Sequence, residues 1–314
     1  MATYQTYTAI GIREDLSDVI YNISPTETPL MSSIGKTKAT ATYHEWQTDA
    51  LAAAALGGAV EGADASSITA SPTSRIGNRT QIFTKSVAVA GTLEAVDKAG
   101  RKSEKAYQLA KVSAELKRNI ELTLLSNQVS AAGNSSTART MGGLQAWLST
   151  NGDFGTDGVA GSGGTTARVD GTDRTFTEAL LKTVNAEVYV AGGSPKMLMV
   201  NPTHKQTVSA FAGIAAQRYM APSNEPTTII GAADVYMSDF GTLSVVPNRF
   251  MNSTNACDET AFIIDPDMLA VAYLRPFQTI ELAKTGDSEK TQLLAELTLE
   301  VRNEQSCGII ADLS

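Results

Sequence analysis

Residues 103–126 read SEKAYQLAKVSAELKRNIELTLLS, and this stretch decides the fold. Ser103 suits an N-cap, because its hydroxyl accepts a hydrogen bond from a free N–H of the first turn. Glu104 then sets negative charge at the positive end of the helix dipole. Leu109, Val112, Leu116, Ile120 and Leu124 recur every three or four residues and so share one face. Lys105, Lys111, Glu115, Lys117, Arg118 and Glu121 fall on the other faces. At 1.5 Å per residue the helix spans about 36 Å, long enough to serve as a structural spine.

On its N-terminal side, residues 39–48 (ATATYHEWQT) and 79–91 (RTQIFTKSVAVAG) read as two strands, with Val87 and Val89 on one face of the second. About thirty residues rich in Ala, Gly and Ser separate them. Structureless loops of that length are uncommon within a compact domain. The pattern instead describes an extended β-loop projecting from the body. Further upstream, residues 10–34 form an arm with a short amphipathic helix carrying Leu16, Val19 and Ile20. Pro25 and Pro29 end that helix, because each fixes φ and disfavours α at the residue before it.

On the C-terminal side, residues 130–174 are dominated by Gly, Ser, Thr and Asp, and read as a flexible surface insertion. An α/β unit follows. A helix over 177–190 turns Leu181, Val184 and Val188 inward and stops at Gly192-Gly193. A buried strand runs from Lys196 to Val200, and Asn201 caps a helix with Pro202 at its first position. Short strands follow within 236–246 and 260–265. The end of the chain is β-rich: 278–284 and 292–302 flank a turn at Gly286-Asp287. In the second of these strands Leu293, Ala295, Leu297, Leu299 and Val301 alternate with Glu296, Thr298, Glu300 and Arg302, which predicts one buried and one wet face. The hairpin is expected to pair with an early strand. The fold class is α+β.

The chain has 314 residues, 25 Lys+Arg against 33 Asp+Glu and a net charge of −8, with 42% hydrophobic and only 18% charged residues. The length fits roughly two domains, and the charge fraction lies below the usual ~25%. A surface so poor in charge implies cover by other molecules, including copies of the chain. An acidic balance argues against a nucleic-acid coat, which needs clustered Lys and Arg. The longest uncharged apolar stretch, Leu51 to Val60, is far short of the ~20 residues of a membrane span. The first twenty residues lack the basic start and apolar run of a secretory signal.

Chemical motifs are incomplete throughout. Ile34-Gly35-Lys36-Thr37 has the end of a phosphate loop, but Leu30 occupies the position of its first glycine, so a turn is expected there. Asp153-Phe154-Gly155-Thr156-Asp157-Gly158 opens like a calcium loop, yet Gly164 stands where the bidentate Glu belongs. Gly161-Ser162-Gly163-Gly164 has no strand before it and is a loop. Cys257 and Cys307 make neither a disulfide framework nor a zinc site. The thiolate of Cys257 is disfavoured by Asp258 and Glu259. His44 reads as interface packing, and His204 as a surface or helix-start residue. Asp265/Asp267 flank Pro266 in a strand-end turn. The acceptor triplets at Asn22, Asn78, Asn134 and Asn252 lack a secretory context. The expected site inventory is therefore empty: no catalytic, cofactor-binding or metal-ligating residues, and no cofactor.

The order of these elements resembles the major capsid proteins of tailed bacteriophages, which share the HK97-type fold. Ile23-Ser24-Pro25-Thr26-Glu27-Thr28-Pro29-Leu30, Tyr43-His44-Glu45-Trp46-Gln47-Thr48-Asp49, Glu61-Gly62-Ala63-Asp64-Ala65 and Arg75 to Ile82 are similar to the SU10-type branch. So are Gly91-Thr92 through Gly100-Arg101 and Ala114 to Arg118. The resemblance is close over most of 10–130, and by element order alone over 175–310. It implies an N-arm at 1–38, an E-loop at 39–91 lying across a neighbour, and a peripheral domain at 92–141 completed by 266–314. It further implies a flexible insertion at 142–174 and an axial domain at 175–265.

The implied function is a head protein that assembles into pentamers and hexamers, forming an icosahedral shell around double-stranded DNA. The virion is its place, after assembly in the host bacterial cytoplasm. The implied partners are other copies, a separate scaffolding protein, a portal and a decoration protein, with no membrane and no sequence-specific DNA contact. No Lys lies between Lys38 and Lys85, so a loop-tip lysine crosslink is not expected. An encapsulin-like cargo shell, a minor virion protein of decoration or tail type, and a hydrolase built on 175–265 are the alternatives.

Overall fold

A computed structural model of the chain describes residues 26–54, 56–58, 60–62, 64, 72–97, 100, 102–211 and 234–314. The helix expected within 10–20 lies outside them. Along the chain run α1 (Pro29–Ser33), β1 (Gly35–Lys38), β2 (Tyr43–Thr48), β3 (Ser74–Arg79), β4 (Gln81–Ala90), α2 (Gly91–Ala95) and α3 (Glu104–Leu125). Then come α4 (Leu144–Trp147), β5 (Gly152–Asp153), α5 (Glu178–Val190), β6 (Met197–Val200), α6 (Pro202–Ser209), β7 (Val235–Ser238) and β8 (Gly241–Pro247). The chain ends with β9 (Ala261–Ile264), β10 (Leu269–Leu282), β11 (Ser288–Val301) and β12 (Gly308–Ile310).

The spine α3 forms where its sequence places it. Ser103 accepts from the Ala106 N–H at 3.1 Å, and Glu94 takes the Glu104 N–H at 2.9 Å. Leu116, Ile120, Leu124 and Leu125 are buried, while Leu109 and Val112 pack at the edge of the core. Gly143 abuts the helix end so closely that a Cβ there would meet the Ser126 carbonyl at 2.2 Å. Removing the cap by Ser103→Ala is expected to cost about 1 kcal/mol, because Glu94 still covers the neighbouring N–H. Thermal unfolding should show a drop of roughly 2–4 °C.

Among the described residues the strands form three sheets. The four-stranded sheet has the order β1-β10-β11-β4, so both ends of the chain contribute to it. The long antiparallel hairpin β10–β11 lies at its centre, and β11 pairs with β4 from Ser288↔Ala90 to Leu297↔Gln81. The six-stranded sheet, β5-β12-β9-β6-β8-β7, carries α5 and α6, whose Leu181, Val184, Val188 and Val208 fill a second core. The third sheet is only the hairpin β2–β3.

Four expectations are corrected. Gly35–Lys38 is not a turn: it lies parallel to β10, with Gly35↔Ala270 through Lys38↔Tyr273. The strand expected over 79–91 is β4, but residues 74–79, mostly assigned to the loop, form a further strand, β3, set off from it at Thr80, whose N–H turns to the Thr42 carbonyl at 2.9 Å. The outer face of β11 is not wet, because Glu296, Thr298 and Glu300 are all buried. The base of the β2–β3 hairpin and the side chain of Arg139 lie over that face.

Finally, 142–174 is not a flexible insertion. Leu144, Trp147 and Leu148 are core residues, and Arg168 is buried against Asp312. Polar ties and glycine-sized gaps order this segment without any apolar periodicity that a sequence reading registers.

Candidate assembly elements

The chemically suggestive residues are each engaged locally. Cys257 and Cys307 are buried, and burial pushes both thiols up to about 12. For Cys257 burial is the main cause, with Asp258 adding to it. Asn201 Oδ1 accepts from the His204 N–H at 2.7 Å, which is the helix-start role. The ring itself is not on the surface. It is buried edge-on to Phe176, with centroids 5.8 Å apart, and burial lowers its pKa. Asp265 caps the turn at Pro266, and Asp153 pairs with Arg174 at 2.6 Å. Among the described residues no three His, Cys, Asp or Glu are placed to hold a metal ion.

The structure instead gathers polar side chains where extended segments leave the body. The arm segment is one such place. Leu30 and Met31 of α1 are buried, and their N–H groups donate to the Glu121 carboxylate of the spine at 2.7 and 2.9 Å. Asn248 donates to the same carboxylate at 2.8 Å. Burial raises the Glu121 pKa, and these three donors oppose the rise. The sequence put Glu121 on a polar face of the helix; its donors lie about 90 and 127 residues away in the chain.

The base of the β2–β3 hairpin is the second place. Asn78 is fully buried and saturated. It donates to the carbonyls of Gly142 (3.0 Å) and Leu299 (2.9 Å), and accepts from the N–H groups of Gly142 and Arg79. Glu296 of β11 takes Arg139 at 2.5 Å, Arg275 at 2.7 Å and the Thr80 hydroxyl at 2.8 Å. Glu300 takes the Thr37 hydroxyl of β1, His44 Nε2 of β2 at 3.0 Å, and Arg302. Burial alone would raise the Glu300 carboxyl, but these three partners outweigh it and hold it below the usual range. Trp46 packs on Trp147 with centroids 5.5 Å apart.

Beyond this base the loop turns outward. Leu51, Leu56 and Val60 near its tip are exposed. So are Met237 on the edge strand β7 and Val190 at the end of α5, whose neighbour Tyr189 stacks on Phe240 at 4.7 Å. Exposed apolar groups on projecting elements are what a subunit covered by its neighbours presents.

A long spine helix, two sheets interleaved along the chain and a projecting loop with an apolar tip define an HK97-like capsid subunit. The chain belongs to the SU10 major capsid protein family, whose sequence profile matches residues 1–314. It is 28% identical to the major capsid protein of Escherichia phage Phieco32, over 98% of this chain and 96% of that one. In fold it is similar to a chain of the cyanophage A-1(L) capsid asymmetric unit, with a TM-score of 0.70 at 14% identity over 96% of this chain and 97% of that one. The SrpI encapsulin of Synechococcus elongatus shares the architecture more distantly, with a TM-score of 0.57 at 11% identity, covering 100% of this chain and 97% of that one. The protein is a phage major capsid protein, a shell component of the virion.

Proposed function

We propose that the chain assembles into pentamers and hexamers that close an icosahedral shell around phage double-stranded DNA, in the cytoplasm of a bacterial host. Residues 39–91 act as the E-loop lying across a neighbour, and the unit at 175–265 faces the five-fold and six-fold positions. No catalytic step, metal or cofactor is involved. A separate scaffolding protein guides assembly, and a portal and a decoration protein complete the head. The single observation that carries this reading is the family match along the whole chain. The net charge of −8 suits a wall that encloses DNA without gripping it. The fold is shared with an encapsulin, so fold alone does not select DNA over protein cargo; the sequence relatives select the phage reading.

Electron microscopy and sedimentation of the protein, expressed alone and with its scaffold, test the proposal. Megadalton shells or capsomers are expected. A chain that stays monomeric at high concentration, with the loop folded onto its own body, would overturn it.

A further inference from the structure

We propose that Glu296 and Glu300, acting through Arg139, Thr80 and His44, are positioning residues that fix the angle at which the E-loop leaves the body, and with it the curvature of the shell. This rests on reading residues 39–91 as the strap to a neighbouring subunit.

Among the described residues β2 and β3 pair only with each other and join neither large sheet, so no backbone ladder fixes their direction. A lone two-stranded hairpin has little stability of its own. Its apolar tie is Trp46 on Trp147, with Ile76 at the edge of the core. Hydrophobic contact is non-directional and tolerates a swing of the loop. Charge-assisted hydrogen bonds are short and angular, and do not tolerate it.

Both glutamates extend from one strand of the rigid central sheet toward the loop's two roots. Glu300 holds His44 on the outgoing strand. Glu296 holds Thr80, where the returning strand breaks into β4. Arg139 reinforces the second root by donating to both the Thr80 carbonyl and Glu296. A buried ion cluster adds little net stability over an apolar replacement of similar volume. What it supplies at this hinge is orientation.

The test uses the full chain with His44→Leu, His44→Gln, Glu296→Leu and Glu296→Gln. Gln at position 44 keeps a side-chain donor for Glu300, and Leu removes it. The Leu variants should assemble into shells of mixed diameter and into open sheets. In the unassembled subunit, their amides at 43–48 and 74–79 should lose about tenfold in hydrogen-exchange protection. His44→Gln should restore one diameter and most of the protection, with melting temperatures alike across the His44 pair.

Uniform wild-type shells and unchanged protection in both Leu variants would overturn the proposal. So would a His44→Gln protein as heterogeneous as His44→Leu. If Glu296→Leu does not fold, Glu296→Gln carries the same readouts, since its amide can no longer pair with two guanidinium groups. If wild-type protein forms no shell, the assembly reading fails, and exchange at the loop roots still decides the positioning role.

Discussion

Arg168→Met should lower the free energy of unfolding by about 3–5 kcal/mol, the cost of leaving one partner of a buried ion pair without the other. The melting temperature should fall by roughly 10 °C. The Arg168 guanidinium is 1% exposed and contacts the fully buried Asp312 at 2.5 Å. It also reaches Asp170 and, through Nε, Gln145 at 3.2 Å, while its backbone N–H and carbonyl both engage Asn127. Asp312 further accepts the Gly155 N–H at 2.8 Å. One side chain therefore ties the 142–174 segment to the residues just past β12, the strand that lies between β5 and β9.

The pH dependence has a definite sign. Burial pulls the Asp312 carboxyl up, but the Gly171 and Gly155 N–H groups and Arg168 outweigh it and hold its pKa below the ordinary value. Its stabilising contribution is thus complete above the unfolded pKa of about 4 and is lost as pH falls through the folded value. Without Arg168 only the Gly171 and Gly155 N–H groups oppose burial, so the carboxyl's pKa rises. The deficit of the variant should therefore shrink between pH 7 and the acid range in parallel thermal melts. Asn tolerates the left-handed backbone of residue 312 (φ 58°). Arg168→Met combined with Asp312→Asn should accordingly recover most of the loss at pH 7. A deficit unchanged by acid and by the second substitution would show that Arg168 contributes through its aliphatic packing instead.

The same pair marks where sequence reading stops. Elements whose cause is local were legible: the Ser103 cap and apolar stripe of α3, the Asn201-Pro202 start of α6, and the inward Leu181, Val184 and Val188 of α5. Elements whose cause is distant were not. Gly35–Lys38 has no strand pattern of its own and becomes one by pairing with residues 270–273. Glu296 and Glu300 alternate with leucines as solvent-facing residues do, and only Arg139, Arg275, Thr37 and His44, remote in sequence, turn that face inward. Asn78 stood in an acceptor triplet that reads as surface, yet it is the most saturated side chain at the loop base. The order of 142–174 comes from hydrogen bonds that leave no periodicity. Function was legible by a different route, through motifs occurring together in order rather than through any chemical constellation.

Replacing residues 49–73 with Asn-Gly should give a subunit that folds normally and no longer closes shells. Thr48↔Ser74 is the last pair of the β2–β3 ladder, so a two-residue turn of type I′ fits directly across it. Leu51, Leu56 and Val60 are exposed and support no core of their own subunit. Removing such surface groups changes stability by no more than about 0.5 kcal/mol. Shortening the loop also lowers the entropy cost of closing it, so the melting temperature should hold or rise slightly. The assembly balance moves the other way. Half of the excised segment, fully extended, reaches at most roughly 40 Å beyond the ladder, and that reach is lost. Burying three apolar side chains against a neighbour is worth about 1.5–3 kcal/mol each. Each ~1.4 kcal/mol is a factor of ten in association, and every subunit of a shell repeats the contact. The concentration needed for assembly should therefore rise by orders of magnitude, and sedimentation should show subunits or capsomers where wild-type protein gives shells. The milder variant Leu51→Ser/Leu56→Ser/Val60→Ser keeps the loop's length while removing its apolar groups. Failure of both variants to assemble would assign the strap to those three side chains. Failure of the deletion alone would assign it to the loop's reach. Normal shells from the deletion would mean the loop is not the strap at all.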